Sequence, residues 1–431
     1  MTAPYVPLAR RADRSARPTP LRRFVPAMLL TQIGFYAALT TPLQLLLVLR
    51  LDSIAGPGAR SALGVVTGFG ALCAVVATPI GGRLSDRTRA RFGRRRTWIL
   101  TGSLVFALVL AAMTVTTAVW QVVLLWCLAQ VAGNFQFAAN VAIMADQVAP
   151  DRRGLVSGLV GLVAAVGPLA GIAVADAFPA GAAAQWLALA AGSFGTTLVA
   201  VLLFRDPPST EPRPPLDLRT LAGAFWFNPY RHPAFGWAWL VRFLIMCTYS
   251  AGGYTAFFLM QHLDVSKSRV GTVTLEAGLV SVVCLGISSA LAGYASDALR
   301  RQRPFVVFAG IAAAAALVLM STADTVTTVV VASGLLGFAV GTFLAVDLAL
   351  CMRVLPSAAD TAKDLAIINI AVALPQSLVP FAAPALIALG GYPTLYLTLA
   401  ALGLLGAAAI LRVPEVGREH IPGRSAPITR V

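Results

Sequence analysis

Gly82-Arg83-Leu84-Ser85-Asp86 and Gly293-Tyr294-Ala295-Ser296-Asp297 are one pattern, Gly-x-x-Ser-Asp, written twice in a chain of 431 residues. The copies are 211 positions apart, and each closes the second apolar stretch of its half of the sequence. A repeat in matching positions marks an internal duplication. Two parallel repeats of membrane helices are the mark of a secondary carrier, with the substrate site at the midplane between them.

Composition agrees with a membrane setting. Hydrophobic residues make up 58% and charged residues 12%, and mean hydropathy is +0.79. A soluble chain of this composition exposes more apolar surface than a monomer tolerates, and disorder is excluded because apolar surface is plentiful. A crossing helix needs about 20 mostly apolar residues. Twelve such spans are predicted, near 24–49, 60–82, 98–117, 119–147, 155–178, 183–204, 234–262, 270–295, 305–322, 325–352, 366–388 and 393–411. The expected fold is all-α, twelve transmembrane helices in two pseudo-symmetric six-helix bundles.

Charge gives orientation. The formal net charge is +15, and 31 of the 33 basic residues are Arg. Twenty-eight of the 33 fall in one set of segments: 1–23, 83–97, 151–154, 205–233, 296–304, 353–365 and 412–431. The opposite loops hold Arg50, Arg60, Lys267 and Arg269. The positive-inside rule then puts both termini in the cytoplasm, and the basic balance needs no nucleic acid. The expected location is a bacterial cytoplasmic membrane, crossed many times. The expected division is a tail over 1–23, a bundle over 24–204, a linker over 205–233, a second bundle over 234–411 and a tail over 412–431. Prolines 207, 208, 212, 214 and 215 stiffen the linker. Beyond them an aromatic-rich stretch around Phe225-Trp226-Phe227 suggests a short helix in the headgroup region.

Cofactor chemistry is not expected. Cys73, Cys127, Cys247, Cys284 and Cys351 each stand alone in an apolar stretch, and the three histidines are isolated. Neither Lys267 nor Lys363 follows a glycine, so no Walker A loop is present. The chain is not expected to be an enzyme. Its expected partners are a small organic solute, protons and the bilayer, and it is expected to act as a monomer.

The stretch from Gly82 through Asp86-Arg87 to Gly93-Arg94-Arg95-Arg96 resembles the loop 2–3 motif of the major facilitator superfamily. Four extra residues separate Asp-Arg from Gly-Arg, a longer form similar to the sucrose-transporter group and the glycoside–pentoside–hexuronide symporters. Gln32-x-Gly34 and Thr41-Pro42-x-Gln44 resemble the first helix of sucrose transporters. Thr97 stands where that branch has Pro, and the first two spans hold no acidic residue of the melibiose-type symporters. Gly167-Pro168-Leu169-Ala170-Gly171 resembles part of a motif of proton-linked drug exporters, whose usual Arg in the fourth helix is absent. The resemblance implies secondary transport by alternating access. The branch favours proton-coupled uptake of a sugar or glycoside, and the alternative is proton-linked export of a drug or natural product.

Ionisable groups in hydrocarbon cost a few kcal/mol or more and mark function by default. Arg242 of span 7 and Asp347 of span 10 lie ~12 and ~9 Å from the same membrane face, so an ion pair is expected. It either exchanges partners during transport or fixes two helices. Glu276, ~10 Å from the other face, is a second candidate proton carrier. Gln130, Asn134, Gln136 and Asn140 fall within ~160° of arc around Phe137. They form either a wet cavity for a hydroxyl-rich solute or a set of interhelical bonds. Gln32, Tyr36, Tyr249, Asn369 and Gln376 are further expected lining residues. The gate is expected at Gly82, Asp86, Arg87, Gly93, Arg94, Arg95, Asp146, Gly293 and Asp297. The resemblance implies that Asp86 meets the start of helix 11, and by symmetry Asp297 meets helix 5. Glycine pairs 64/68, 154/158, 167/171 and 337/341 are expected packing seams.

Overall fold

The computed structural model describes residues 19–149, 152–206, 233–299, 301–353 and 361–413. Most of both tails, the linker over 207–232 with its expected headgroup helix, and residues 354–360 lie outside them. Among the described residues the chain is helical throughout. Its helices are α1 (Leu21–Thr41), α2 (Leu47–Ala55), α3 (Ala59–Arg87), α4 (Arg94–Ala112), α5 (Val119–Gln147), α6 (Arg153–Asp176) and α7 (Ala183–Leu203). They continue with α8 (Pro233–Tyr249), α9 (Thr255–Gln261), α10 (Lys267–Leu299), α11 (Arg303–Ser321), α12 (Val326–Arg353) and α13 (Thr361–Ala409).

Ten stretches among the described residues are long and apolar enough to cross a membrane. Two exceed a single crossing. Leu21–Arg87 is 67 residues long, ~100 Å if helical throughout, against a hydrocarbon core of ~30 Å. It leaves helical geometry at Gly56, where φ is +50°. Ile370–Arg412 is 43 residues long, and Gly390 and Gly391 inside it are non-helical.

Two further breaks were not anticipated. Pro42 lacks an N–H for the helix ladder, and Pro42–Leu46 forms a π turn between α1 and α2. Gly252-Gly253 weakens the seventh apolar stretch, and Ser250–Tyr254 tightens into a 3₁₀ turn between α8 and α9. The two breaks sit at corresponding places in the two halves and touch each other. The repeated pentapeptide also differs from expectation. Both copies are the last turns of long helices, not loop, and α3 continues to Arg87. Thr88 ends it by turning to extended backbone while its hydroxyl donates to the Leu84 carbonyl at 2.8 Å.

Packing follows the duplication. In the first half α1 packs on α6 and α7, α5 on α3 and α4, and α4 on α7. In the second, α12 packs on α10 and α11, and α13 on α8 and α11. Two seams join the halves: α3 with α13, and α6 with α10. Three of the four expected glycine pairs sit at helix contacts, Gly64 and Gly68 at a seam between the halves, whereas Gly158 of the 154/158 pair meets no neighbour. A Cβ on Gly64 stands 2.8 Å from the Pro380 carbonyl and one on Gly68 3.1 Å from the Phe381 ring. Gly167 and Gly171 meet α1, and Gly337 and Gly341 meet α10.

Candidate functional site

The motif end is built around one arginine. Arg95 is 4% exposed. It pairs with Asp86 at 2.5 Å and with Asp146 at 2.9 Å, and donates to Ser85 Oγ at 2.9 Å. Arg94 holds the same Asp146 oxygen at 2.9 Å. Charge-assisted bonds of this kind are about twice as strong as neutral ones. They tie the end of α3 to the starts of α4 and the end of α5, all within the first half. The N-terminus of α4 is capped from a distance, as Asp206 accepts the backbone N–H groups of Arg95 and Arg96 at 2.6 and 2.9 Å. Burial raises the Asp206 carboxyl pKa; the two N–H bonds, Arg94 and Arg95 oppose the rise. Gly93 has φ +109° with Asp206 packed against it, a conformation and a closeness that glycine permits. Arg87 ends α3. Asp86 therefore rests on Arg95 of its own half.

Among the described residues, several glycines near this end meet no neighbour. A Cβ placed on Gly82, Gly158, Gly161, Gly286 or Gly293 meets nothing within 4 Å. The side chain of Asp297 lies outside the described residues.

At the opposite end the halves are joined. Lys267 pairs with Asp52 at 2.7 Å. Thr272 donates to Asp176 at 2.9 Å, and the same carboxylate packs on Gly271. Gly278 lies against Leu169, 2.6 Å from a notional Cβ. Tyr254, fully buried, reaches the Arg60 carbonyl of the first half at 3.5 Å as well as the Pro380 carbonyl of its own half at 2.8 Å, and Arg60 lies 5.9 Å from the centre of the Tyr392 ring. None of these closures was anticipated. Asp52, Asp176 and Lys267 read as ordinary span ends, and their pairing is visible only once α6 and α10 are side by side.

Between the ends lie the polar groups. Arg242 of α8 and Asp347 of α12 form an ion pair; Arg242 is 12% and Asp347 4% exposed at the side chain. In the first half the amides bond to protein. Asn140 Nδ2 donates to Gln32 Oε1 at 3.3 Å, and Gln136 Nε2 to Thr197 Oγ1 at 3.2 Å. Thr31 joins both, and all five groups are buried. Asn134 donates to the Gln130 carbonyl at 2.8 Å and accepts from Thr78 at 2.9 Å. Thr31, Thr78 and Thr197 carry no distinguishing signal in sequence.

The half-exposed groups are aromatic. Phe137 stacks on Phe35 at 5.7 Å, and Tyr36 meets Phe35 edge-on at 5.3 Å. Tyr249 is 45% exposed at the end of α8, beside the open Gly252 and Gly253. Tyr36 is partly exposed on α1. Gln376 is exposed on α13, and the side chain of Asn369 lies outside the described residues. Glu276 is exposed on α10, one turn from Thr272, which bonds to α6, and one turn from Val280, which meets Gly334 of α12.

Comparison with known proteins adds the family. A bacterial homologue of the human lysosomal transporter Spinster, solved inward-facing and unoccupied, superposes with TM-score 0.65 and 14% identity over 91% of this chain and 95% of that one. The human organic anion transporter MFSD10 superposes with TM-score 0.66 and 18% identity over 91% and 99%. At these identities the likeness is one of fold. The multidrug resistance protein MdtG of Dickeya zeae (strain Ech586) is 38% identical over 120 residues, 27% of this chain and 28% of that relative. The chain thus matches under a third of that relative's length. The sequence pattern of the Major Facilitator Superfamily matches residues 58–358 and 239–430, nearly the whole of both halves. This chain belongs to the Major Facilitator Superfamily and is a multi-pass membrane transporter.

Proposed function

We propose that the protein moves a small, largely apolar organic solute by alternating access, and that the conformation described is open at the motif end. The observation that carries this is the contrast between the ends. The Lys267–Asp52 ion pair, the Thr272–Asp176 and Tyr254–Arg60 hydrogen bonds and glycine contacts join the halves, while the glycines around Gly82 and Gly293 face open space. With the arginine-rich end in the cytoplasm, this is the inward-facing state. Counting Leu21–Arg87 and Ile370–Arg412 as two crossings each turns ten stretches into twelve helices, consistent with both termini on one side.

The lining favours an apolar solute over a sugar. Sugar recognition needs free donors and acceptors. Gln32, Gln130, Asn134, Gln136 and Asn140 each bond to protein, and the Oε1 of Gln136 and Oδ1 of Asn140 that do not are fully buried, whereas Tyr36, Phe137 and Tyr249 present rings. The amides then act as braces between α1, α3, α5 and α7, and the rings as the substrate surface. Arg242 and Asp347 form the charged element that a proton or an ionised substrate group perturbs. Asp347 is the stronger candidate for coupling, since it is buried against Arg242 whereas Glu276 is exposed. Asp86, Arg94, Arg95 and Asp146, with Gly82 and Gly93, form the gate-side brace that engages the second half when the motif end closes.

The test is transport in proteoliposomes under an imposed pH gradient. The expected result is gradient-driven movement of an aromatic lipophilic dye, reduced several-fold by Tyr249→Ala, with no accumulation of labelled disaccharide. Accumulation of the disaccharide with no dye movement overturns the substrate assignment.

A further inference from the structure

One pair of thiols has no part in the transport scheme. Cys73 of α3 and Cys127 of α5 are free and half-buried, and their side chains share a hydrogen bond. The sequence does not show this pair, because the two stand 54 positions apart. The packing of α3 on α5 makes it. Gly70 admits the Trp126 ring, 2.5 Å from a notional Cβ, and Gly81 admits the Phe135 ring at 2.7 Å. Between these contacts Thr78 donates to Asn134 at 2.9 Å. The two helices therefore run in parallel, with facing residues 54 to 56 positions apart, and Cys73 and Cys127 share that register. Contacts on either side of the pair hold the sulfurs together in advance, so a ligand that bridges them has little ordering left to impose.

Two thiols alone select their ligand. No group of three or more His, Cys, Asp or Glu side chains suited to a metal is present among the described residues. A structural zinc ion takes four ligands and is not held. Copper(I) on two thiolates leaves a net negative charge, which is costly among apolar side chains. Mercury(II) on two thiolates is neutral but linear, and it sets the sulfurs on opposite sides of the metal. A trivalent arsenic centre is bent. Two sulfurs already in contact can share it, and the product carries no charge.

We propose that Cys73 and Cys127 form a binding site for trivalent organoarsenicals. Condensation with an arsenoxide needs no oxidant. Two S–H bonds and the arsenic–oxygen bond break, two arsenic–sulfur bonds form, and both protons leave with the oxygen as water. The neutral product suits the low-dielectric interior of a helix pair, where a charged one does not.

The full-length protein in detergent, treated with phenylarsine oxide, tests this. One adduct per chain is expected by intact mass. Dimercaptopropanol should strip it, and mercaptoethanol at equal thiol concentration should not. Cys73→Ala and Cys127→Ala should each weaken binding roughly 100-fold or more, because the second sulfur binds intramolecularly. A chain with Cys247, Cys284 and Cys351 replaced by Ala should bind as wild type does. Wild-type binding in Cys73→Ala overturns the proposal. So does an adduct that mercaptoethanol removes as readily as dimercaptopropanol, which makes it a single-thiol product.

Discussion

Gly64→Ala tests whether the α3–α13 seam holds the transporter in its present state. The added Cβ stands 2.8 Å from the Pro380 carbonyl oxygen and 3.1 Å from Pro384 Cγ. A relaxed carbon–oxygen contact needs about half an ångström more, and neither backbone nor a proline ring yields easily. Overpacking of this kind costs about 1–3 kcal/mol. The strain exists only while this end is closed, so it acts on the equilibrium between the two states. Each 1.4 kcal/mol is tenfold, so the open-to-closed ratio at this end should shift by roughly 5–150-fold. The assay is thiol labelling in a background lacking the native cysteines. A cysteine at Gly158, which faces open space at the motif end, reports that end. Gly64→Ala should slow its labelling from the motif side, whereas Gly161→Ala, equally open, should leave it unchanged. Wild-type labelling in Gly64→Ala would refute the reasoning, because it means the seam is not under compression.

Other predictions follow from single groups. Arg95→Ala strands Asp86 and leaves Asp146 with Arg94 alone, and should cost less than the ~3–5 kcal/mol of a broken buried pair because both carboxylates are partly exposed. Arg95→Lys should recover only part of this, read as melting temperature in detergent, since an ammonium cannot fork across both acids. Arg242→Ala should be more destabilising than Arg242→Ala with Asp347→Ala, because one buried charge costs more than none; Asp347→Asn should retain solute exchange and lose pH-driven accumulation if this carboxyl carries the proton. Asp206 binds its proton more tightly folded than unfolded. Its contribution is therefore fully present below the unfolded value of about 3.8 and is lost as pH rises through the folded value. The melting temperature of Asp206→Asn relative to wild type should accordingly rise across that window, and a flat difference contradicts it.

Much of the architecture was legible in the sequence because its signals are local. Apolar runs mark crossings, and the repeated Gly-x-x-Ser-Asp marks the duplication. Arg242 and Asp347 stood out as charges in hydrocarbon, and Arg94 and Arg95 as neighbours for Asp146. What was hidden depends on which helices meet. Gln136 and Asn140 share a helical arc with Phe137 whether they face a cavity or Thr31 and Thr197; only the packing of α1 and α7 against α5 separates these. Asp86 pairs with Arg95, which the motif alone does not say, and the start of the eleventh span, its other expected partner, lies outside the described side chains. Pro42 and Gly252-Gly253 were visible as residues, but each lies in a run apolar enough to read as unbroken. Glu276 was placed by depth alone, and depth does not say which face of a helix looks inward.

The most direct test of alternating access is a pair of electron-spin distance measurements on one protein in nanodiscs. One pair of labels goes at Ser53 and Ser268, both exposed beside the Lys267–Asp52 ion pair. The other goes at Arg89 on the motif loop and Leu299 at the end of α10. Without solute the first distance should be short and the second long. Lys267→Gln with Asp176→Asn should lengthen the first and shorten the second in the same molecules. Two distances that change in the same direction, or a motif end that stays open when the other end opens, contradict the account.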